Sequence, residues 1–476
     1  MNLLQDLEPK AVWRYFEAIC DLPHGSRNTK LLSDFCAIFA RIRGLWCQQD
    51  KANNVIIRKE ASPGYEDHPT VIIQGHLDMV CEKVSGHSID FRRDGLSLYI
   101  EEDYVRAKGT TLGGDDGVAV AFALALLDDK NLVHPPLEIV LTSDEEIGML
   151  GAAALDTSCL KGKTLINIDS EEEGVLTVGC AGGATATLSV PLKRENMKGT
   201  PYTLTIDGLL GGHSGVEITK GRTNAIVYIA SLFEKLCETY DCRLYGFSGG
   251  GKDNAIPRNA TIKFITPEPM GEDATTMLAA ALTELQKTEP SADISLKQGE
   301  ATSLGALTKG ANDRVRNFFR RLPNGIQAMS QEVPGLPETS LNLGIVSFDK
   351  NLVTTHSLRS SINGKREELA KALKKLVGEL GGQYREEGAY PAWEYRPQSR
   401  LRDVMQTIWR EQNGRDARVE IIHAGLECGI LSNKIKDLDC VSIGPHMLGI
   451  HTPDEALSIS STARTWNYLL EILKRL

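Results

Sequence analysis

At 476 residues, with 41% hydrophobic and 24% charged side chains, the chain has a globular composition and is too long for one small core, so two or more domains are expected and a disordered or fibrous chain is excluded. A formal net charge of −10 excludes nucleic acid and anionic membrane surfaces as partners. Met1–Lys10 lacks the basic start, apolar run and cleavage site of an export signal, and ten cysteines with no C-x-x-C pair fit reduced thiols in the cytoplasm.

From Pro9 onward, helix-like and strand-like segments alternate. Val12, Phe16 and Ile19 recur at helical spacing, and Val55–Ile57 and Val71–Ile73 are short β-branched runs. Val118–Leu127 is apolar over ten residues, about half of what a bilayer-spanning helix needs, and reads as a buried helix. With Leu137–Leu141 and Leu165–Ile168 these segments form the pattern of an α/β protein, a mostly parallel sheet with covering helices. The character changes near Cys180–Gly183, where Ala184–Val190 and Tyr202–Ile206 alternate as half-exposed antiparallel strands do, with amphipathic helices around 224–237 and 365–377. Beyond Gly381-Gly382 and the stretch Tyr390–Pro397 the buried pattern returns in Ile421-Ile422, Val441–Ile443 and a last helix ending near Leu476. The expected architecture is an α/β domain in two parts, 1–182 and 389–476, interrupted by an inserted α+β domain over 183–388.

Chemistry-bearing side chains collect where these strands end, which is where ligands gather in a parallel sheet. Val71–Gln74 runs into Gly75-His76-Leu77-Asp78, and residues two apart in an extended segment point the same way. A lone His-x-Asp also reads as a surface pair; at a strand end, Asp78 is placed to receive the second ring N–H of a metal-bound His76. Gly109–Gly117 delivers Asp115 and Asp116 to the start of the apolar helix, and helix capping alone explains an aspartate there. Leu137–Leu141 leads into Asp144-Glu145-Glu146, and Leu165–Ile168 ends at Asp169. Carboxylates crowded at apolar strand ends repel one another unless a cation or a function requires them. Gly449–Glu455 brings His451 to the same edge, after Val441–Ile443. Two imidazoles and three carboxylates suit a pair of divalent ions sharing one carboxylate, and such donors suit zinc and related metals.

These segments resemble the aminoacylase, carboxypeptidase and carnosinase group of dinuclear zinc hydrolases, and within it the dipeptidases. The resemblance extends over nearly the whole chain and includes Gly109–Gly117, Ile168–Gly174, Asn254–Arg258, Ile421–Gly429 and Ser442–Pro445. It implies a two-zinc metallopeptidase, with cobalt or manganese as alternative ions, hydrolysing dipeptides that include those ending in histidine. By position it implies that Asp115 bridges the ions, that His76 and Asp169 complete one and Glu146 and His451 the other, that Glu145 is the general base, and that Asp78 orients His76. It further implies that the inserted domain is a lid through which a homodimer forms, with His213 of Gly211–Gly215 stabilising the oxyanion and Asn254 and Arg359 holding the substrate backbone and C-terminal carboxylate. A cis peptide after Asp115 is also implied. Gly114, Asp116, Ile450 and Thr452 depart from the closest pattern, and Asp116 adds a negative charge beside the ions. An N-acyl-amino-acid deacylase, an aminotripeptidase or a non-catalytic metal-binding protein are the alternatives on such a site.

Overall fold

Val71–His76 (β1), Leu137–Thr142 (β2), Thr164–Asn167 (β3) and Asp439–Ser442 (β4) are four adjacent strands at the centre of an eight-stranded sheet in the computed structural model, which describes residues 3–331 and 333–476. They lie in the order β2-β1-β3-β4 and are mutually parallel. Every residue of β1 and of β2 is buried, which is why these strands are mostly apolar and show no alternation with exposed positions. The outer strands are antiparallel: Val55–Lys59 on β2, and Trp46–Gln49 beyond it. The sheet belongs to the first of two compact units, formed by Met1–Cys180, Tyr395–Ile421 and Leu426–Leu476.

The helix Gly114–Asp128 (α1) carries the run Val118–Leu127 and is buried over all of it. It packs on β1 at Gly75, where a Cβ would lie 2.4 Å from the Ala119 Cβ and 2.5 Å from Asp116 Oδ2. Only glycine permits that approach. Lys10–Cys20 covers the opposite side through Phe16 and Ile19, and Phe122 meets Trp466 of the last helix with ring centroids 5.3 Å apart. No helix among the described residues is long and apolar enough to cross a membrane.

The second unit, Ala181–Glu394 with Ile422–Gly425, is a ten-stranded sheet whose pairings are antiparallel. Gly182–Pro191 and Arg194–Asp207 show the expected alternation of buried and less buried positions. The helix Ala225–Thr239 starts at Asn224, whose side chain accepts from the N–H groups of Ile226 and Val227, a standard cap. Its apolar face joins Leu204, Ile262, Phe264, Phe318 and Leu343 in one core.

Candidate metal centre

Four loops at the carboxyl ends of the central strands bring together His76, Asp115, Glu146, Asp169 and His451. His76 is the last residue of β1 and is 1% exposed. Its Nε2 lies 3.0 Å from Asp115 Oδ1 and 3.8 Å from Asp169 Oδ1. The other oxygen of Asp115 lies 3.1 Å from Nε2 of His451, which is also 3.0 Å from Glu146 Oε1. One carboxylate therefore spans two imidazoles, each attended by a second acid.

Local sequence explains how each donor is placed. Gly113 takes φ 68°, and a Cβ there would come within 2.8 Å of the Met79 sulfur, so the turn before α1 needs glycine for both conformation and space. The next residues depart from helical geometry at Asp115 and Asp116, and the peptide between them is cis, as the resemblance implies. Asp116 turns inward and its Oδ2 accepts the backbone N–H of His76 at 3.0 Å. The loop after β2 is clamped by Asn54, which accepts from Ser143 N–H at 3.0 Å and donates to the Gly151 carbonyl at 3.0 Å.

Asp78 sits behind the donors at 1% exposure. Its carboxylate accepts from Ser26 Oγ at 2.8 Å, from the Glu145 N–H at 2.9 Å and from the Glu146 N–H at 3.3 Å. His76 Nδ1 lies 2.9 Å from the Asp78 backbone carbonyl and 3.6 Å from its Oδ1, so the nearer acceptor belongs to the main chain of the expected partner. The short excursion Leu77-Asp78 folds the carbonyl back under the ring while the carboxylate reaches the next loop.

The electrostatics are those of a site built for positive charge. Burial, together with the charges of neighbouring acids, holds the Glu145 and Asp169 carboxyls well above the ordinary range. Burial and the nearby Asp115 and Glu427 charges do the same to Asp116. Asp115 goes the other way: burial opposes its ionisation, but hydrogen bonds with His451 and His76 hold it low. His451 is pushed up to about 10 by Asp115 and Glu146. A divalent ion relieves such crowding by replacing protons. The geometry agrees, because tetrahedral bonds of 2.0–2.1 Å put donor atoms about 3.3 Å apart, within the 3.0 to 3.8 Å range observed. The sets Asp115, Glu146, His451 and His76, Asp116, Asp169 each offer ligand atoms within 4.8 Å of one another.

His213, Asn254 and Arg359 lie in the second unit. His213 pairs with Ala255 across a two-residue ladder, which sets Asn254 at its side, exposed. The Nδ1 of His213 accepts from the Gly215 and Val216 N–H groups, both at 3.2 Å, which leaves the proton on Nε2. Burial first, and then the Arg359 charge, lowers its pKa, so the ring is neutral. Arg359 is 7% exposed, donates to the Tyr390 hydroxyl at 3.2 Å, and has no partner for Nε among the described residues.

Three supporting residues have no role assigned by the sequence, although two of them lie in segments it singles out. Ser26 holds Asp78 from a loop 52 positions away. Glu427 is fully buried, accepts from Gln74 at 2.5 Å and from Thr142 at 2.5 Å, and is pushed up to about 7 by burial. Glu455, four residues after His451, reaches the turn before Asp115.

The pattern of Peptidase family M20/M25/M40 matches residues 72–475. Cytosol non-specific dipeptidase of Escherichia coli strain K12 is 37% identical over 491 residues, spanning 100% of this chain and 99% of that protein. The crystal structure of aminoacylhistidine dipeptidase from Vibrio alginolyticus superposes with a TM-score of 0.90 at 34% identity, covering 99% of this chain and 98% of the other. Human carnosine dipeptidase 1 shares the fold, with a TM-score of 0.53 at 11% identity over 99% of this chain and 96% of its own.

Proposed function

Since the chain belongs to Peptidase family M20/M25/M40, we propose that it is a dipeptidase that holds two divalent ions, zinc by preference, and hydrolyses dipeptides including those ending in histidine. The observation that carries the reading is the Asp115 carboxylate, with one oxygen 3.0 Å from His76 and the other 3.1 Å from His451. Asp115 would be shared between the ions, His76 and Asp169 would hold one, and Glu146 and His451 would hold the other. Ions held there supply a lowered pKa for water and a polarised peptide carbonyl.

The residues divide the remaining work. Glu145 accepts the proton of the attacking water and passes it to the leaving amine, a role open to a carboxylate that adjoins the proposed ion ligand Glu146 in the chain and is not itself assigned to an ion. Asp78 fixes Glu145 and Glu146 through their backbone N–H groups. His213, neutral and protonated on Nε2, donates to the oxyanion that develops on the former carbonyl oxygen. Arg359 takes the substrate C-terminal carboxylate, for which a guanidinium fork is suited, and Asn254 holds the substrate backbone. On this reading 1–182 and 389–476 form the catalytic domain and 183–388 is a lid that also makes a homodimer.

The E. coli and Vibrio relatives, named for dipeptide and aminoacylhistidine hydrolysis, support the substrate class over the deacylase and tripeptidase alternatives. The name of the E. coli relative supports a cytoplasmic location. Zinc-loaded protein assayed against Xaa-His dipeptides, other dipeptides, tripeptides and N-acetyl amino acids tests the reading. Dipeptides are expected to give the highest kcat/KM; a higher value for tripeptides or N-acetyl amino acids replaces this assignment.

A further inference from the structure

The turn that presents Asp115 is held by a carboxylate from far away in the chain. Glu455, 3% exposed, directs Oε2 at the N–H groups of Leu112 and Gly113, 2.7 and 3.1 Å away, and Oε1 at those of Gly114 and Asp115, 2.8 and 3.4 Å away. Four consecutive N–H groups at the start of α1 form an electropositive concavity of the kind that binds anions, reinforced by the helix dipole. Here the protein fills it with its own side chain.

Glu455 lies four residues after His451, and the chain between them is tightly folded. The Thr452 hydroxyl donates to the Gly449 carbonyl at 2.6 Å and accepts from the Asp454 N–H at 3.2 Å, the Glu455 N–H donates to the Thr452 carbonyl at 3.1 Å, and Arg106 donates to the Asp454 carbonyl at 2.8 Å. Immediately afterwards Ala456–Ser458 pairs with Tyr104–Arg106. One short, internally bonded loop thus has His451 near its start and, at its end, an anchor in the turn that carries Asp115.

We propose that Glu455 is a positioning residue that fixes the separation of Asp115 and His451, and so sets the affinity of the ion position formed by Asp115, Glu146 and His451, without touching the substrate. The inference rests on the two-ion reading above. Metal donors must be held to within a few tenths of an ångström. A glutamine at 455 keeps the shape but turns an NH2 group towards two of the four N–H donors, so the exposed His451 loop moves away from the turn, which is buried at Leu112, Gly113 and Gly114.

Zinc titration of metal-free Glu455→Gln by calorimetry, paired with anomalous scattering from crystals grown at limiting zinc, reads each ion separately. The position at His451 is expected to weaken about 10- to 100-fold while the position at His76 and Asp169 stays within about threefold, and saturating zinc is expected to bring kcat/KM back to within about threefold of the parent. Equal weakening of both positions, unchanged affinity at both, or a kcat/KM that stays low with both ions bound overturns the proposal. If the parent protein itself binds fewer than two ions, it is the two-ion reading that fails. Thr452→Val, exposed and acting on the same loop from its other end, covers the case in which Glu455→Gln does not fold. It is expected to weaken only the His451 position, by about threefold, and no change or an equal change at both positions counts against the proposal.

Discussion

Replacing Asp78 by asparagine tests whether the carboxylate behind the donors organises them. Three donors converge on it, from Ser26 Oγ, Glu145 N–H and Glu146 N–H. Oδ1 serves Glu145, and Oδ2 serves Ser26 and Glu146. An asparagine has one carbonyl oxygen, so either orientation sets its NH2 against one of the two backbone N–H groups at a position 1% exposed. Leaving a buried donor unsatisfied costs about 1–3 kcal/mol. That cost falls on the backbone of the proposed proton carrier and of an ion ligand. Loss of a group that orients metal ligands commonly lowers affinity 10- to 100-fold, which is about 1.4–2.7 kcal/mol and overlaps the cost of one unsatisfied donor. Competition of the metal-free variant against a chelator of known zinc affinity is expected to show a loss in that range. An affinity within about twofold of the parent refutes the reasoning.

Glu145→Gln is expected to retain both ions by elemental analysis while turnover falls about 10²- to 10⁴-fold; near-parent turnover removes Glu145 as the base. His213→Ala is expected to lower turnover at least about a hundredfold with metal content unchanged, and, with the lid of one subunit covering the site of another as the resemblance implies, mixing it with Glu145→Gln is expected to restore part of the activity through hybrid dimers. Full activity in the single variant makes His213 structural, and a dead mixture with verified subunit exchange puts it in the same chain's site. A fourth expectation concerns acid stability. Burial lowers the pKa of His356 to about 3, below the value near 6.5 of an unfolded histidine. The unfolded chain therefore binds more protons between these values, so stability is complete above pH 6.5 and is lost as pH falls towards 3. At pH 5 the loss is about 2 kcal/mol relative to pH 8. Urea unfolding of the second unit is expected to show this pH dependence in the parent and about 2 kcal/mol less of it in His356→Gln; identical dependence in both contradicts it.

Much of the centre of the first unit was legible because its strands are buried on both faces and their apolar runs stop at the residues that carry chemistry. Val71–His76, Leu137–Thr142 and Thr164–Asn167 end within about two residues of the expected strand ends Gln74, Leu141 and Ile168. The antiparallel outer strand Val55–Lys59 was not distinguishable from a parallel one, because its run Val55–Ile57 is as buried and apolar as the central strands. The supporting residues were hidden for a related reason. Ser26 is one serine in a loop, and Glu427 meets Gln74 and Thr142 across 353 and 285 positions. A run of N–H groups at a glycine-rich turn signals that an anion is needed, but only the folded chain identifies Glu455 as the supplier. Likewise, periodicity gave no sign that His451 takes φ 60°, or that the Asp78 carbonyl approaches the His76 ring more closely than its carboxylate does. In the second unit, Gln383–Tyr390 is a polar strand along the sheet margin, paired on Gly182–Pro191. Its charged run Arg385-Glu386-Glu387 reads as easily as a solvated loop.

The central claim is that catalysis needs two ions joined by Asp115. Stepwise addition of zinc to metal-free protein, with turnover of an Xaa-His dipeptide measured at each step, tests it most directly. Turnover is expected to reach its plateau only at about two equivalents per chain. Full turnover at one equivalent, with the second ion bound and without effect, contradicts it.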